Sequence, residues 1–156
     1  MESEASINPA LATLEVLVGT WEMELFGASF LPDPDTRVPG FISFEWIERG
    51  AALVMRQGDA ASWIIGRDDA DEHFCVLYAD ARGVSRVYGM SLNQNTWKLW
   101  RRTPEFSQRF EAELSADRNV ITGQWKKSFD GGQKWEHDFN VNYTRSSPRN
   151  HQPTAR

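Results

Sequence analysis

Between Thr20 and Thr144 the chain repeats one pattern: short runs of alternating apolar and polar residues, each ended by turn-forming residues. A period of two is what a strand with one buried face requires, so the pattern excludes a helix-rich fold. The runs are Thr20–Phe26, Phe41–Glu48, Ala52–Gly58, Ser62–Arg67, His73–Ala79, Ser85–Leu92, Thr96–Arg102, Ser107–Ser115, Val120–Ser128 and Lys134–Thr144. Between them stand Arg49-Gly50, Asp68 to Asp71, Asp80 to Gly83, Asn93-Gln94-Asn95, Asp117 to Asn119 and Asp130-Gly131-Gly132, all turn chemistry. About ten short strands with hairpin-length links predict an all-β fold, a single antiparallel up-and-down barrel. Closure removes the exposed edges that an open sheet would have to protect. The one long link, Gly27 to Pro39, carries Pro32, Pro34 and Pro39, and such a stiff, acidic loop suits a cover over one mouth.

A single segment has helical spacing: Pro9 to Val18, with Leu11, Leu14, Leu17 and Val18 on one side. Asn8 suits its N-cap, Pro9 its first position and Gly19 its stop. The expected organisation is a flexible N-terminus over 1–7, a barrel domain over 8–145 and a disordered tail over 146–156. At 156 residues one domain is expected, and 40% hydrophobic with 12% aromatic residues is too apolar for a disordered chain. No apolar run approaches the roughly 18 residues of a membrane span, and the acidic start Met1-Glu2-Ser3-Glu4 does not resemble a signal peptide. Cys75 stands alone, which excludes an internal disulfide and suits a cytoplasmic location. A net charge of −5 argues against nucleic acid as a partner. The basic clusters Lys98/Arg101/Arg102 and Lys126/Lys127 fall at strand spacing and read as strand faces. The expected partner is a small molecule, with no membrane contact, for a monomer or a homodimer.

Alternation assigns the faces. Trp135, His137, Phe139, Val141 and Tyr143 form one row, opposed by Glu136, Asp138, Asn140 and Asn142; the aromatic row belongs inside. Phe106, Gln108, Phe110, Ala112 and Leu114 form another inward row. Arg86 shares a face with Tyr88, Met90 and Leu92, Arg101 with Trp97 and Leu99 (the opposite face, with Trp100, fits that strand nearly as well), and Lys127 with Ile121, Gly123 and Trp125; spacing leaves Trp46, Trp63 and Trp100 unassigned. Polar groups among aromatic rows are costly in a filled core, about 1–3 kcal/mol each when unpartnered. A cavity makes use of them, because a few convergent polar groups orient a guest. The expected ligand-binding set is therefore Arg86, Tyr88, Met90, Arg101, Gln108, Phe110, Trp125, His137, Phe139 and Tyr143. The guest it suits is mainly apolar with one polar or anionic head group, received by Arg86 and Arg101.

The stretch Tyr78-Ala79-Asp80-Ala81-Arg82-Gly83-Val84-Ser85-Arg86-Val87-Tyr88, with Met90-Ser91-Leu92, resembles a signature of a bacterial family of unknown function whose members are lipocalin-like (calycin-type) barrels. The resemblance extends through Leu99-Trp100-Arg101, Phe106 to Phe110, Asp130-Gly131 and Trp135 to Phe139, and ends at Tyr143-Thr144-Arg145. Upstream, Leu17-Val18-Gly19-Thr20-Trp21 is similar to the family's opening Gly-x-Trp. It implies the barrel, over most of residues 11–145, and no particular reaction. Ala81 stands where the family pattern has Ser.

Two other readings stay open. A cofactor-independent enzyme (isomerase, cyclase or hydrolase type) would use His137 as acid/base beside Tyr88 or Tyr143, since an imidazole suits proton transfer near neutral pH. A haem barrel would use His137 as axial ligand; Gly19-Thr20-Trp21 resembles nitrobindin-type ten-stranded barrels, although Glu22-Met23 departs from their pattern. No metal spacing, nucleophile elbow or phosphate loop is present, so no resident cofactor is expected beyond the haem alternative.

Overall fold

A computed structural model describes residues 7–33 and 35–146. Ten antiparallel strands close into one barrel in which each strand pairs with its chain neighbours, and β1 meets β10. They are β1 (Gly19–Phe26), β2 (Val38–Ile47), β3 (Ala52–Gln57), β4 (Ala61–Gly66), β5 (Phe74–Asp80), β6 (Ser85–Asn93), β7 (Thr96–Arg101), β8 (Ser107–Leu114), β9 (Val120–Ser128) and β10 (Glu136–Arg145). Each expected run is a strand, with ends displaced by a residue or two, and by three at the start of β2. The flexible N-terminus and the tail expected at the two ends fall outside the described residues, except for two positions. Ile7 packs partly buried against the core, and the Ser146 N–H bonds to the Thr20 carbonyl at 2.9 Å.

The helix at Pro9–Leu17 is a 3₁₀ helix, begun by the Asn8 side chain accepting from the Ala10 N–H at 3.0 Å. Leu11, Leu14 and Leu17 are spaced by three, which lines them up on a helix of three residues per turn, and all three are fully buried. The helix thereby plugs one end of the barrel. Val18, counted on that apolar side from spacing, is the extended residue that ends the helix.

Trp21 at the start of β1 is buried against this plug and donates from Nε1 to the Leu17 carbonyl at 3.0 Å. Across the closing seam, Arg145 of β10 pairs with Trp21 and lays its guanidinium over the indole at 4.1 Å. The same guanidinium donates to the carbonyls of Val16 at 2.6 Å, Val18 at 2.8 Å and Arg118 at 3.0 Å, and to Asn119 Oδ1 at 3.2 Å. One side chain thus joins the plug, the first strand, the last strand and the β8–β9 link. At the other end the links 27–37, 58–60, 81–84, 102–106 and 129–135 surround the open mouth.

On the inner wall Gly123 faces Ala112 across the β8–β9 pair, and a Cβ there would lie 2.8 Å from both Ala112 Cβ and the Phe110 ring. Its missing side chain makes room for Phe110. Replacing Arg145 by Met removes a buried charge with four acceptors and leaves carbonyls without donors at the plug. Urea denaturation of R145M is expected to show a loss of at least about 3 kcal/mol, with R145K recovering part of it; an unchanged midpoint would contradict this role.

Candidate functional site

The inner rows enclose a cavity of about 360 Å³ that opens at the mouth opposite the plug. That size suits one small guest. Its walls are aromatic and thioether-rich. Trp63 lies against Tyr78, Tyr88 and Trp125, with ring centres 4.6, 5.2 and 6.1 Å apart. Trp125 in turn packs on Phe110 at 5.1 Å and Phe139 at 6.2 Å. Phe30, from the long link 27–37, reaches over the mouth and meets Phe139 edge-on at 5.7 Å while remaining 58% exposed. The long link therefore forms part of the cavity's roof.

Of the expected binding residues, Arg86, Tyr88, Met90, Gln108, Phe110, Trp125, Phe139 and Tyr143 all line this cavity. Two do not. Arg101 is on the inner side of β7 opposite Gln108, but it lines an adjoining crevice that it shares with Tyr88. Its Nε is buried and has no hydrogen-bond partner. His137 is exposed on the outside of the barrel, beside Lys126 in register, and Trp135 is also outside, under the Arg109 guanidinium at 4.1 Å. The inward placement of His137 and Trp135 is thus corrected by a β-bulge. The register of β10 on β9 slips between His137 and Phe139, and Asp138 is the extra residue. One inserted residue reverses every face before it.

Asp138 is itself buried by the bulge, at 7% exposure, with Lys127 Nζ 3.4 Å from its carboxylate. Ser29 of the long link donates its N–H to the Asp138 carbonyl at 2.9 Å and receives Lys127 Nζ at 2.9 Å on its hydroxyl. The bulge therefore anchors the roof that carries Phe30. Nothing in an alternating pattern marks an inserted residue, so neither bulge nor anchor is visible in the residues alone. Trp63, unassigned from spacing, is inside; Trp100 is outside, and Trp46 bonds Glu15 at the plug end at 3.0 Å.

The polar groups of the cavity are ordered as a chain. Tyr88 donates from its hydroxyl to Gln108 Oε1 at 2.5 Å, and the Arg86 guanidinium lies close enough to act on the same phenol. Burial pushes the Tyr88 phenol up, against the pull of Arg86 and of the Arg101 charge. At the rim, Tyr78 donates to Asp80 at 2.6 Å, and Arg82 pairs with that carboxylate at 2.6 Å. Burial first, then Asp80, pushes the Tyr78 phenol up to about 12, while the Arg82 and Tyr78 hydrogen bonds hold Asp80 well below the usual carboxylate range. Asp80 also accepts the Arg82 and Val84 N–H groups at 2.9 and 3.3 Å, which fixes the 81–84 hairpin. Arg82 is thus neutralised, whereas Arg86 has no carboxylate within ion-pair distance among the described residues, and none lines the cavity.

All three tyrosines of the chain have raised values, Tyr143 by burial alone. Near pH 10, where free phenols half-ionise, the native protein should show little phenolate absorbance, and the guanidinium-unfolded chain should show a half-ionised set. Because the folded values lie above the unfolded one, the folded state holds more protons there. Stability is full below about pH 10 and falls as pH rises towards the folded values. A phenol titrating normally in the native protein would contradict the burial assigned to it.

No family model matches the chain, and no curated protein matches it. In fold it is similar to the crystal structure of Rv2717c from M. tuberculosis, with a TM-score of 0.52 at 13% sequence identity over 90% of this chain and 99% of that one. At that identity the likeness concerns the barrel architecture.

Proposed function

We propose that this lipocalin-like barrel binds one small, mainly apolar molecule and holds its anionic head group against Arg86. The observation that carries the reading is a guanidinium facing an aromatic cavity with no carboxylate opposite it. A cation taken out of water without a counter-charge is costly, and a guest carboxylate or similar anion supplies that charge. Tyr88 and Gln108 hold the adjoining hydrogen bonds in place, and the Arg101 charge adds to the positive field at the same phenol. The aromatic walls supply the apolar surface.

Acid/base catalysis by His137 finds no support in its placement, since the imidazole lies outside the barrel wall. The ionisable groups that do line the cavity are arginines and phenols, and the three phenols are raised. Such groups hold and orient a ligand at neutral pH; they are poorly suited to exchange protons with it. Haem fits no better. The axial ligand that reading assigned, His137, is outside the wall, and among the described residues His73 is likewise exposed.

Decanoate and decanol, equal in chain length and different in charge, test the reading by calorimetric titration of the full chain. Decanoate should bind about tenfold or more tightly than the alcohol. Arg86→Gln should remove that difference while leaving decanol binding nearly unchanged. Equal affinities in the parent protein, or an equal loss of both ligands in the variant, would remove the anion site.

A further inference from the structure

We infer that the cavity has a second polar subsite at its closed end, formed by the Trp97 indole N–H and the Tyr143 hydroxyl, which takes a neutral hydrogen-bond acceptor on the far end of the guest. The inference rests on the anion reading above and goes further, because it makes the preferred ligand bifunctional: a carboxylate at one end and a ketone, ester or ether oxygen at the other.

Trp97 and Tyr143 both line the cavity, at 1% and 4% exposure, with ring centres 6.2 Å apart. They come from β7 and β10, three places apart in the closed order of ten strands. The Trp97 Nε1 is buried and has no hydrogen-bond partner. Burial pushes the Tyr143 phenol up, which keeps its hydroxyl protonated beside the indole. Two further rings pack on the indole, Phe110 edge-on at 5.0 Å and Phe44 at 6.1 Å. A buried donor left without an acceptor is destabilising by an amount comparable to a lost hydrogen bond, and native proteins rarely leave one so. At the plug end Trp21 shows the ordinary outcome, with its Nε1 bonded to the Leu17 carbonyl.

The spacing of the two subsites sets the guest's length. Trp97 precedes Arg101 by four residues on β7, and Arg101 pairs with Gln108, so the Trp97 backbone lies about 13 Å along the strand from the head-group level at about 3.3 Å per residue. Between the two levels the wall is apolar, with Leu99, Phe110, Met90 and Val141. A guest that spans them presents oxygen at both ends and hydrocarbon between.

The test pairs decanoate with its methyl-ketone counterpart of equal chain length, titrated into the full chain and followed by calorimetry and by ¹H–¹⁵N spectra of the seven indole N–H groups. The keto acid should bind roughly three- to tenfold more tightly than decanoate. It should move the Trp97 indole resonance, identified as the peak missing from Trp97→Phe, while decanoate leaves it in place. Trp97→Phe and Tyr143→Phe should each shrink the ratio of keto-acid to decanoate affinity; if the first fails to fold, the second carries the comparison. Decanoate bound as tightly as the keto acid would overturn the second subsite and leave the anion site standing. So would a preference that survives in the variants, or an unmoved indole peak. Binding of neither acid would overturn both.

Discussion

Everything in this protein depends on the closure of its sheet, and closure is made at one seam. β1 and β10 lie at opposite ends of the barrel sequence, so their pairing is among the most expensive contacts in chain entropy. The seam is reinforced where it is most needed. Arg145 stacks on Trp21 and binds the carbonyls that the 3₁₀ plug leaves free at its end, so strand closure and end closure are one interaction. A helix end without such donors would leave its last carbonyls bare. With one end shut, the inner rows cannot drain into solvent there, and the cavity has a floor.

The floor explains why the cavity can be polar in small amounts. Tyr88 hydrogen-bonds Gln108 near the mouth with Arg86 beside them, where water or a guest can reach them. Deeper in, the walls are rings and aliphatic chains. A filled barrel of this width would close over such polar groups with more side chains; here Gly123 and Ala112 keep one wall thin instead, and Phe110 turns into the space. The roof is held separately. The Asp138 bulge, Lys127 and Ser29 fasten the long link so that Phe30 lies across the opening.

The strand runs, their turns and most inward rows were legible in the residues, because period-two alternation and Asp/Asn/Gly turns are local signals. Arg86, Tyr88, Gln108 and Phe110 fell where their neighbours' parity put them. His137 did not, and the reason is physical: parity counted back from Tyr143 holds only while the register is unbroken. The bulge at Asp138 exists because a carboxylate, a lysine and a distant serine satisfy one another. Ser29 is more than a hundred positions away in sequence, so that stabilisation is invisible to any local pattern. Arg101 shows a second limit. Parity put it on the inner side, but the crevice between strands, not the cavity, takes its side chain. Trp63 shows the reverse, since its row needed pairing partners on β3 and β5 before its facing was defined.

The displacement of His137 alters what the cavity is able to do. A general base must titrate near the working pH and reach the reacting proton, and the groups that remain inside meet neither condition together. Arginine stays charged, and a phenol raised by burial stays protonated. What these groups do well is present fixed donors and fixed charge. Tyr88 cannot easily be drawn off Gln108, whose carbonyl it already holds, so the Arg86 guanidinium is the member of the chain with donors left for a guest. Fixed donors and one cation without a carboxylate partner, set in aromatic walls, are the features that support the proposed binding of an anion.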